Sequence, residues 1–148
     1  MSLTKKEYFM KATVKWVEGM TFMGRSESGH HVAFDAGSED STAPTPMEMV
    51  LMSTGCCSSV DVVSILEKAR QKITDCQVTI TGERAETVPK IFTKIHLHFD
   101  VTGTNVSDKH VARAVELSAD KYCSVALMLA SSVEVTHSYA VIAADTAL

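Results

Sequence analysis

The sequence predicts an α+β domain in which an antiparallel sheet packs on one long, buried central helix. Segments that alternate between apolar and polar residues are separated by two helical stretches, which gives the predicted order βββ–α–ββ–α–β. Lone helices between runs of strands favour the α+β class. With 148 residues, the chain is expected to form a single domain over residues 1–148 with a real hydrophobic core.

The N-terminal third shows the two-residue period of strands. Residues 9–17 place three apolar side chains on one face, namely Ala12, Val14 and Trp16. A break at residues 18–19 predicts a hairpin into a second strand, and residues 31–35 predict a third. Residues 36–45 are rich in turn-forming residues and are expected to form a loop.

Residues 46–70 are predicted to form the central helix, with Thr45 as N-cap and Pro46 in the first turn. The stretch from Met47 to Cys57 has almost no polar side, which is typical of a helix buried on all sides. Glu48 and several later polar residues interrupt it, so a core helix is favoured over a membrane span. Because one sheet covers only one side, we expect a homodimer in which two such helices pack between two sheets.

The second half of the chain repeats the strand pattern around a second helix. Strands are predicted over residues 74–84, 91–101 and 133–143. In the middle one, four side chains are expected to point inward: Ile95, Leu97, Phe99 and Val101. Ser107 is a predicted N-cap for the second helix, and a short separate helix is expected beyond Cys123.

The charge balance and the N-terminus narrow the class of function. A net charge of −4 gives no electrostatic footprint for nucleic acid or an anionic membrane. The first eight residues lack the apolar core of a secretory signal, so we expect a cytoplasmic location. In a reducing compartment, the four cysteines are expected to be packing residues, metal ligands or redox groups.

The adjacent pair Cys56 and Cys57 is either inert packing or the centre of an active site. Free cysteine is among the most buried residue types, which favours packing from the spacing alone. Asp61 lies one helical turn after Cys57 and would oppose its thiolate, whereas Glu48 points away from Cys57 on a straight helix. Cys56 and Cys76 are interpreted as core packing residues.

His96 and His98 share one face of a predicted strand and could chelate a metal ion. The same face carries Lys94 and Asp100, which indicates a solvated surface instead. The chain has no Cys-x-x-Cys spacing and no glycine-rich phosphate loop. We therefore predict no metal and no cofactor.

Three stretches give the chain a resemblance to a known family. They are Pro46-x-Glu48-x-x-Leu51, then Gly55-Cys56-Cys57-Ser58, and, after an amphipathic helix, Lys121-Tyr122-Cys123-Ser124. Together they resemble the OsmC/Ohr family of bacterial peroxide-reducing proteins, over nearly the whole chain. Residues 46–52, 60–66 and 118–129 look specifically like the YhfA-type branch of the OsmC-like proteins.

The resemblance implies an OsmC-like fold, an intertwined homodimer and a thiol peroxidase activity on organic hydroperoxides in oxidative stress defence. Eleven residues after Pro46, Cys57 takes the position of the peroxidatic cysteine, and Cys123 that of the resolving cysteine. Glu48 matches an acidic position of the OsmC branch. The family holds its thiolate with an arginine of the N-terminal hairpin, for which Arg25 is the candidate here although it lies out of register.

The same resemblance implies a dithiol reductant, of the lipoyl type in the Ohr branch, that restores both thiols. It leaves a second function open. Met47 and Ser124 replace an acidic residue and a proline of the peroxidases. The alternative is therefore a non-catalytic dimer that binds a small apolar ligand in a Met-lined cavity near Cys57.

Overall fold

The computed structural model describes residues 9–37 and 39–145. The first eight residues, on which the expected cytoplasmic location rests, lie outside these ranges. The predicted α+β class is confirmed, with two sheets and three α-helices among the described residues. The chain forms two compact units, one ending at Val50 and the other beginning at Leu51. The single domain stays a prediction.

The first unit contains a three-stranded antiparallel sheet. Its strands β1 (Ala12–Glu18), β2 (Thr21–Ser26) and β3 (His31–Asp35) pair in chain order. Both connections turn through a glycine in the left-handed region, Gly19 at φ +51° and Gly29 at φ +90°. A side chain is disfavoured at such angles, which explains why the turns predicted from glycine positions form hairpins.

The loop after β3 is organised by the carboxylate of Asp35. Its Oδ1 accepts the Gly37 N–H at 2.8 Å, and its Oδ2 accepts the Thr42 N–H at 3.0 Å and the Thr42 hydroxyl at 3.3 Å. The backbone hydrogen bonds from Thr42 and then Gly37 lower the pKa of Asp35 below its usual value, because they favour the charged form. One ionised side chain thus fixes both ends of this loop.

Helix α1 (Pro46–Lys68) begins with the predicted cap. The Thr45 hydroxyl accepts the Glu48 N–H at 3.2 Å, and the Glu48 carboxylate accepts the Thr45 N–H at 2.8 Å. This reciprocal pair is a capping box, which satisfies two backbone donors that the first turn would leave unpaired. The contacts of Glu48 are therefore those of a residue that starts the helix.

The second unit contains the other sheet, formed by β4 (Lys72–Arg84), β5 (Phe92–Thr104) and β6 (Glu134–Ala143), with β5 in the middle. The prediction for β5 is confirmed, since all four of its inward side chains are buried: Ile95, Leu97, Phe99 and Val101. These residues form the centre of the core.

The prediction of a purely antiparallel sheet is wrong for one pair of strands. β4 and β5 are antiparallel, but β5 and β6 are parallel, with Leu97 opposite His137. Parallel neighbours need a crossover connection of about a dozen residues or more. The chain supplies it between β5 and β6 as α2 (Asp108–Leu117), a π-helical turn (Ser118–Tyr122) and α3 (Ser124–Leu129).

Helix α1 approaches β4 closely at Gly55. A Cβ atom at this position would overlap the Ile80 side chain and lie 3.2 Å from Val78 Cγ1, so any larger residue would require Ile80 to shift. By length and composition, α1 is apolar enough to cross a membrane, a test that the core helices of soluble proteins also pass. Its buried residues are Thr54, Gly55, Ser58, Val62 and Leu66. We interpret α1 as the core helix of a soluble domain.

Another side of α1 is exposed along a stripe formed by Met52, Cys56 and Val60, here called the outer stripe. Residues four apart lie on one side of a helix, and the side chains of Met52 and Val60 remain 46% and 63% exposed. The prediction of a helix buried on all sides is therefore wrong for the single chain. The physical reason is that one sheet covers only one side of a helix.

Candidate active site

Cys57 and Cys123 meet in the second unit. Cys57 lies on α1 and is partly exposed, whereas Cys123 immediately precedes α3 and is fully buried. Both are free thiols, and Cys57 lies close enough to the Cys123 thiol to raise its pKa. Residues 66 positions apart in the sequence thus form a dithiol site with one accessible and one enclosed sulfur.

The Cys123 thiol is held from two further directions. The Ala126 N–H donates to Cys123 Sγ at 3.4 Å, so this thiol is the N-cap of α3. The Ser58 hydroxyl, which follows Cys57 on α1, also forms a hydrogen bond to the Cys123 side chain. These contacts fix the sulfur beside Cys57 in one orientation.

Burial raises the pKa of the Cys123 thiol above its usual value. The hydrogen bonds from Ser58 and Ala126 act in the opposite direction because they stabilise the thiolate, and the neighbouring Cys57 adds to the increase. Cys123 is therefore a protonated thiol at neutral pH, with two donors in place that favour its ionised form.

The π-helical turn fastens this site to α1. The Ser118 hydroxyl lies 3.1 Å from Asp61 Oδ2 and 3.3 Å from the carbonyl oxygen of Ser58, and the Cys123 N–H donates to the Ser118 carbonyl at 2.9 Å. Single turns of π-helix are rare and are often found at functional sites. Here the turn connects the end of α2 to Cys123 and keeps the Ser118 side chain in contact with α1.

The Ser118 contact changes the interpretation of Asp61. The helical spacing predicts that this carboxylate opposes a thiolate at Cys57. In the structure, Asp61 accepts a hydrogen bond from Ser118 and so takes part in holding the crossover against the helix. This hydrogen bond therefore stabilises the packing of the crossover on α1.

Arg25 and Glu48 lie in the first unit. Arg25 is on β2 opposite Thr13 and His31, on the rim of a surface pocket that also includes Lys11 and Glu27. Their predicted roles beside Cys57 stay predictions.

The two remaining cysteines differ from each other. Cys76 is half-buried on β4, where burial first and the neighbouring Asp75 second raise the pKa of its thiol. Cys56 is exposed on the outer stripe. The interpretation of Cys56 as a core packing residue is therefore wrong for the single chain, because the helix turns this position away from the sheet.

His96 and His98 lie on the outer face of β5, as predicted, but they are hydrogen-bonded and only partly exposed. Each ring contacts Ser138, at 2.8 Å from His96 Nε2 and 2.7 Å from His98 Nδ1. No group of three or more His, Cys, Asp or Glu side chains suited to a metal ion occurs within residues 9–37 and 39–145. The predicted absence of a metal site stays a prediction for the chain as a whole.

Two residues of the site were missed by the sequence analysis. Ser58 and Ser118 are small polar residues inside helical patterns, where serine usually has no special role. The position of Ser58 directly after Cys57 was the available signal. Nothing in the local sequence indicates that Ser118 contacts Asp61, because that contact depends on the π-helical turn.

One thiol lies on the core helix α1, and its neighbour lies in the crossover between two strands of the α+β fold. This arrangement is that of a dithiol protein. The model of the family described as "OsmC-like protein" matches residues 37–138 of this chain. This match covers more than half of the chain, and the chain belongs to the OsmC-like family.

Protein YhfA of Escherichia coli is 61% identical over 135 residues, which cover 91% of this chain and 100% of that protein. A hypothetical protein from Aquifex aeolicus has a solved structure with a TM-score of 0.83 and 31% identity, over 93% of this chain and 98% of that one. An organic hydroperoxide resistance protein OsmC from Legionella pneumophila is similar with a TM-score of 0.68 and 16% identity, over 90% and 97% of the two chains. This last similarity shows the fold.

Proposed function

We propose that this protein is a cysteine-based peroxidase that reduces organic hydroperoxides through Cys57 and Cys123. The observation that carries the proposal is the proximity of these two free thiols, through which Cys57 raises the pKa of Cys123. Membership of the OsmC-like family supports it, since several solved structures with this fold are of organic hydroperoxide resistance proteins.

The first step uses the accessible thiol. The Cys57 thiolate attacks one oxygen of the O–O bond, which breaks to release an alcohol after proton transfer and leaves Cys57 as a sulfenic acid. Cys57 suits this role because it is the partly exposed member of the pair. The peroxide is reduced by two electrons and the Cys57 sulfur is oxidised by two.

The second step uses the buried thiol. Cys123 attacks the sulfenic sulfur, an S–S bond forms, and hydroxide leaves with the proton of Cys123 as water. The Ser58 hydroxyl and the Ala126 N–H stabilise the charge that develops on Cys123 Sγ during this attack. A dithiol reductant, for which the lipoyl type is our proposal, then reduces the disulfide and restores both thiols.

The proposed working form is a cytoplasmic homodimer. The outer stripe exposes Met52 and Val60 on the long helix α1. Val14 and Trp16 on β1 are also 66% and 62% exposed. A second copy of the chain would cover these apolar side chains, as the sequence analysis expected from the composition of α1. Nucleic acid and membrane are not among the proposed partners.

The test is mass spectrometry of the thiols before and after one equivalent of cumene hydroperoxide. We expect rapid loss of two thiols and a linked peptide that joins Cys57 to Cys123. Cys57→Ser should abolish peroxide consumption, whereas Cys123→Ser should consume one equivalent and accumulate a sulfenic acid that dimedone traps. Cys76→Ser is the matched control and should behave as the parent. Persistence of all four thiols in the reduced parent would contradict the proposal.

A second candidate function is binding of a small apolar ligand. The observation in its favour is an apolar pocket of about 400 Å³ in the first unit, lined by Val14, Phe22, Phe34, Ala36 and Pro46. This pocket has no methionine in its wall, and the Met-lined cavity near Cys57 stays a prediction. The Cys57→Ser variant separates the two functions. Ligand binding should survive this substitution, and peroxidase activity should not.

A further inference from the structure

Five side chains form a continuous hydrogen-bonded chain on the outer face of β5 and β6. Thr136 Oγ1 lies 2.7 Å from His96 Nδ1, and His96 Nε2 lies 2.8 Å from Ser138 Oγ. Ser138 Oγ lies 2.7 Å from His98 Nδ1, and His98 Nε2 lies 3.2 Å from Asp100 Oδ1. We call this set the β5–β6 relay.

The protons of the relay have one consistent order that ends at the carboxylate. Asp100 only accepts, so His98 carries its proton on Nε2 and its Nδ1 accepts the Ser138 hydroxyl. Ser138 Oγ then accepts the proton on His96 Nε2, and His96 Nδ1 accepts the Thr136 hydroxyl. Every donor in the relay meets an acceptor, and hydrogen bonds aligned in this way strengthen one another.

The relay is separate from the dithiol site. Val78 and Ile80 face α1, and they pair with Phe99 and Leu97 in the buried layer of the sheet. Since successive side chains of a strand point to opposite faces, His96 and His98 lie on the face away from α1. The thiol chemistry of Cys57 does not use these groups.

The relay is open to solvent and adjoins a pocket. The side chains of His98 and Asp100 are 38% and 34% exposed. A pocket of about 190 Å³ has Lys94, His96 and Thr136 in its wall, so it reaches the His96 end of the relay, next to Ser138. A small molecule can therefore approach that end of the relay without any opening of the core.

We propose that Ser138 is a nucleophilic serine that accepts acyl groups from small activated esters. The geometry supplies the three groups that such chemistry requires. Ser138 is the nucleophile, His98 is a base within hydrogen-bonding distance of it, and Asp100 orients that base. His96 Nε2–H, next to Ser138 Oγ, is a donor for the oxyanion that the attack creates.

The reaction balances without an oxidant or a metal. Ser138 Oγ forms a bond to the ester carbonyl carbon, and its proton moves to His98 Nδ1. The bond from that carbon to the leaving oxygen breaks, and the alcohol departs with the proton held by His98. Water then attacks the acyl group with His98 as base, which releases a carboxylic acid and restores the Ser138 hydroxyl.

The experiment uses a fluorophosphonate probe on the full chain, with peptide mass spectrometry to locate the label. The probe forms a bond from phosphorus to Ser138 Oγ and releases fluoride. The accessible thiols are alkylated beforehand, because cysteine also reacts with activated esters. The internal reference is Ser131, an exposed serine whose hydroxyl donates to the Met128 carbonyl. General-base assistance contributes about 10²-fold or more, so Ser138 should be labelled about 100 times faster than Ser131.

Two variants test whether His98 and Asp100 assist the Ser138 hydroxyl. His98→Asn removes the base and should slow labelling of Ser138 about 100-fold, and Asp100→Asn, which keeps the shape of the side chain, should slow it as well. Ser131→Ala should leave labelling of Ser138 unchanged. The rate of p-nitrophenyl acetate hydrolysis should be the same in the parent and in Ser131→Ala, and lower in His98→Asn and Asp100→Asn. Circular dichroism establishes that each variant is folded. If folded parent protein labels Ser138 no faster than Ser131, or if folded His98→Asn labels at the parental rate, the proposal is wrong.

Discussion

Replacing Ser58 by alanine tests how the dithiol site controls the attack by Cys123. The substitution removes the hydroxyl that is hydrogen-bonded to the Cys123 side chain and leaves the Ala126 N–H in place. Hydrogen bonds to charged groups contribute about 1.5–3 kcal/mol. The sulfur carries part of a charge in the transition state, so roughly half of that, about 0.8–1.5 kcal/mol, is lost. At 1.36 kcal/mol per factor of ten, disulfide formation should slow about 4- to 13-fold.

The assay follows a single turnover. Reduced protein is mixed with one equivalent of cumene hydroperoxide, and the sulfenic acid and the disulfide are measured over time after acid quenching. Ser58→Ala should leave formation of the Cys57 sulfenic acid near the parental rate while the disulfide forms more slowly. The pH at which disulfide formation becomes fast should also rise, because the Cys123 thiolate loses one of its donors.

The matched control is Ser59→Ala, which removes the half-buried serine next along α1. It should form the disulfide at the parental rate. A Ser58→Ala variant with an unchanged rate and an unchanged pH profile would refute the reasoning, because the hydroxyl would then have no role in the attack. An equal loss in Ser59→Ala would also refute it.

Three further predictions concern the fold. Gly55→Ala should lower the free energy of unfolding by about 1–3 kcal/mol in urea titration, because the added Cβ would overlap Ile80; equal stability would contradict the close approach. Asp35→Asn should lower the free energy of unfolding at neutral pH. Because the pKa of Asp35 is lowered in the folded state, the stability that its carboxylate contributes is present above the unfolded-state pKa of about 3.9 and is lost as the pH falls through the folded-state pKa. The unfolding free energies of parent and variant, measured against pH, should therefore converge in acid. Val60→Asp should shift the protein towards the monomer in sedimentation velocity, since it places a charge on the outer stripe; an unchanged dimer would place the interface elsewhere.

The sequence determined the local elements of this protein well. Alternation placed the buried face of β5 correctly, because a strand half covered by a core must alternate. The N-cap at Thr45 follows from neighbouring residues alone, as does the N-cap at Ser107, whose hydroxyl accepts the His110 N–H at 3.4 Å. The reciprocal bond from the Thr45 N–H to Glu48 was not predicted. The family was also recognisable from motifs around Pro46 and Cys123, and the comparisons confirmed it.

Only the tertiary structure decided which groups meet. The parallel pairing of β5 with β6 depends on where the crossover returns the chain, and a strand's own sequence has the same alternation in either direction. The neighbours of the Cys123 thiol come from α1 and from the first turn of α3, and no periodic pattern predicts the π-helical turn that leads the chain to Cys123. The contact of His98 with Ser138 likewise joins positions 40 residues apart through strand register. Local sequence sets the conformation of each segment, whereas the chemistry of a site depends on distances between segments, which packing alone fixes.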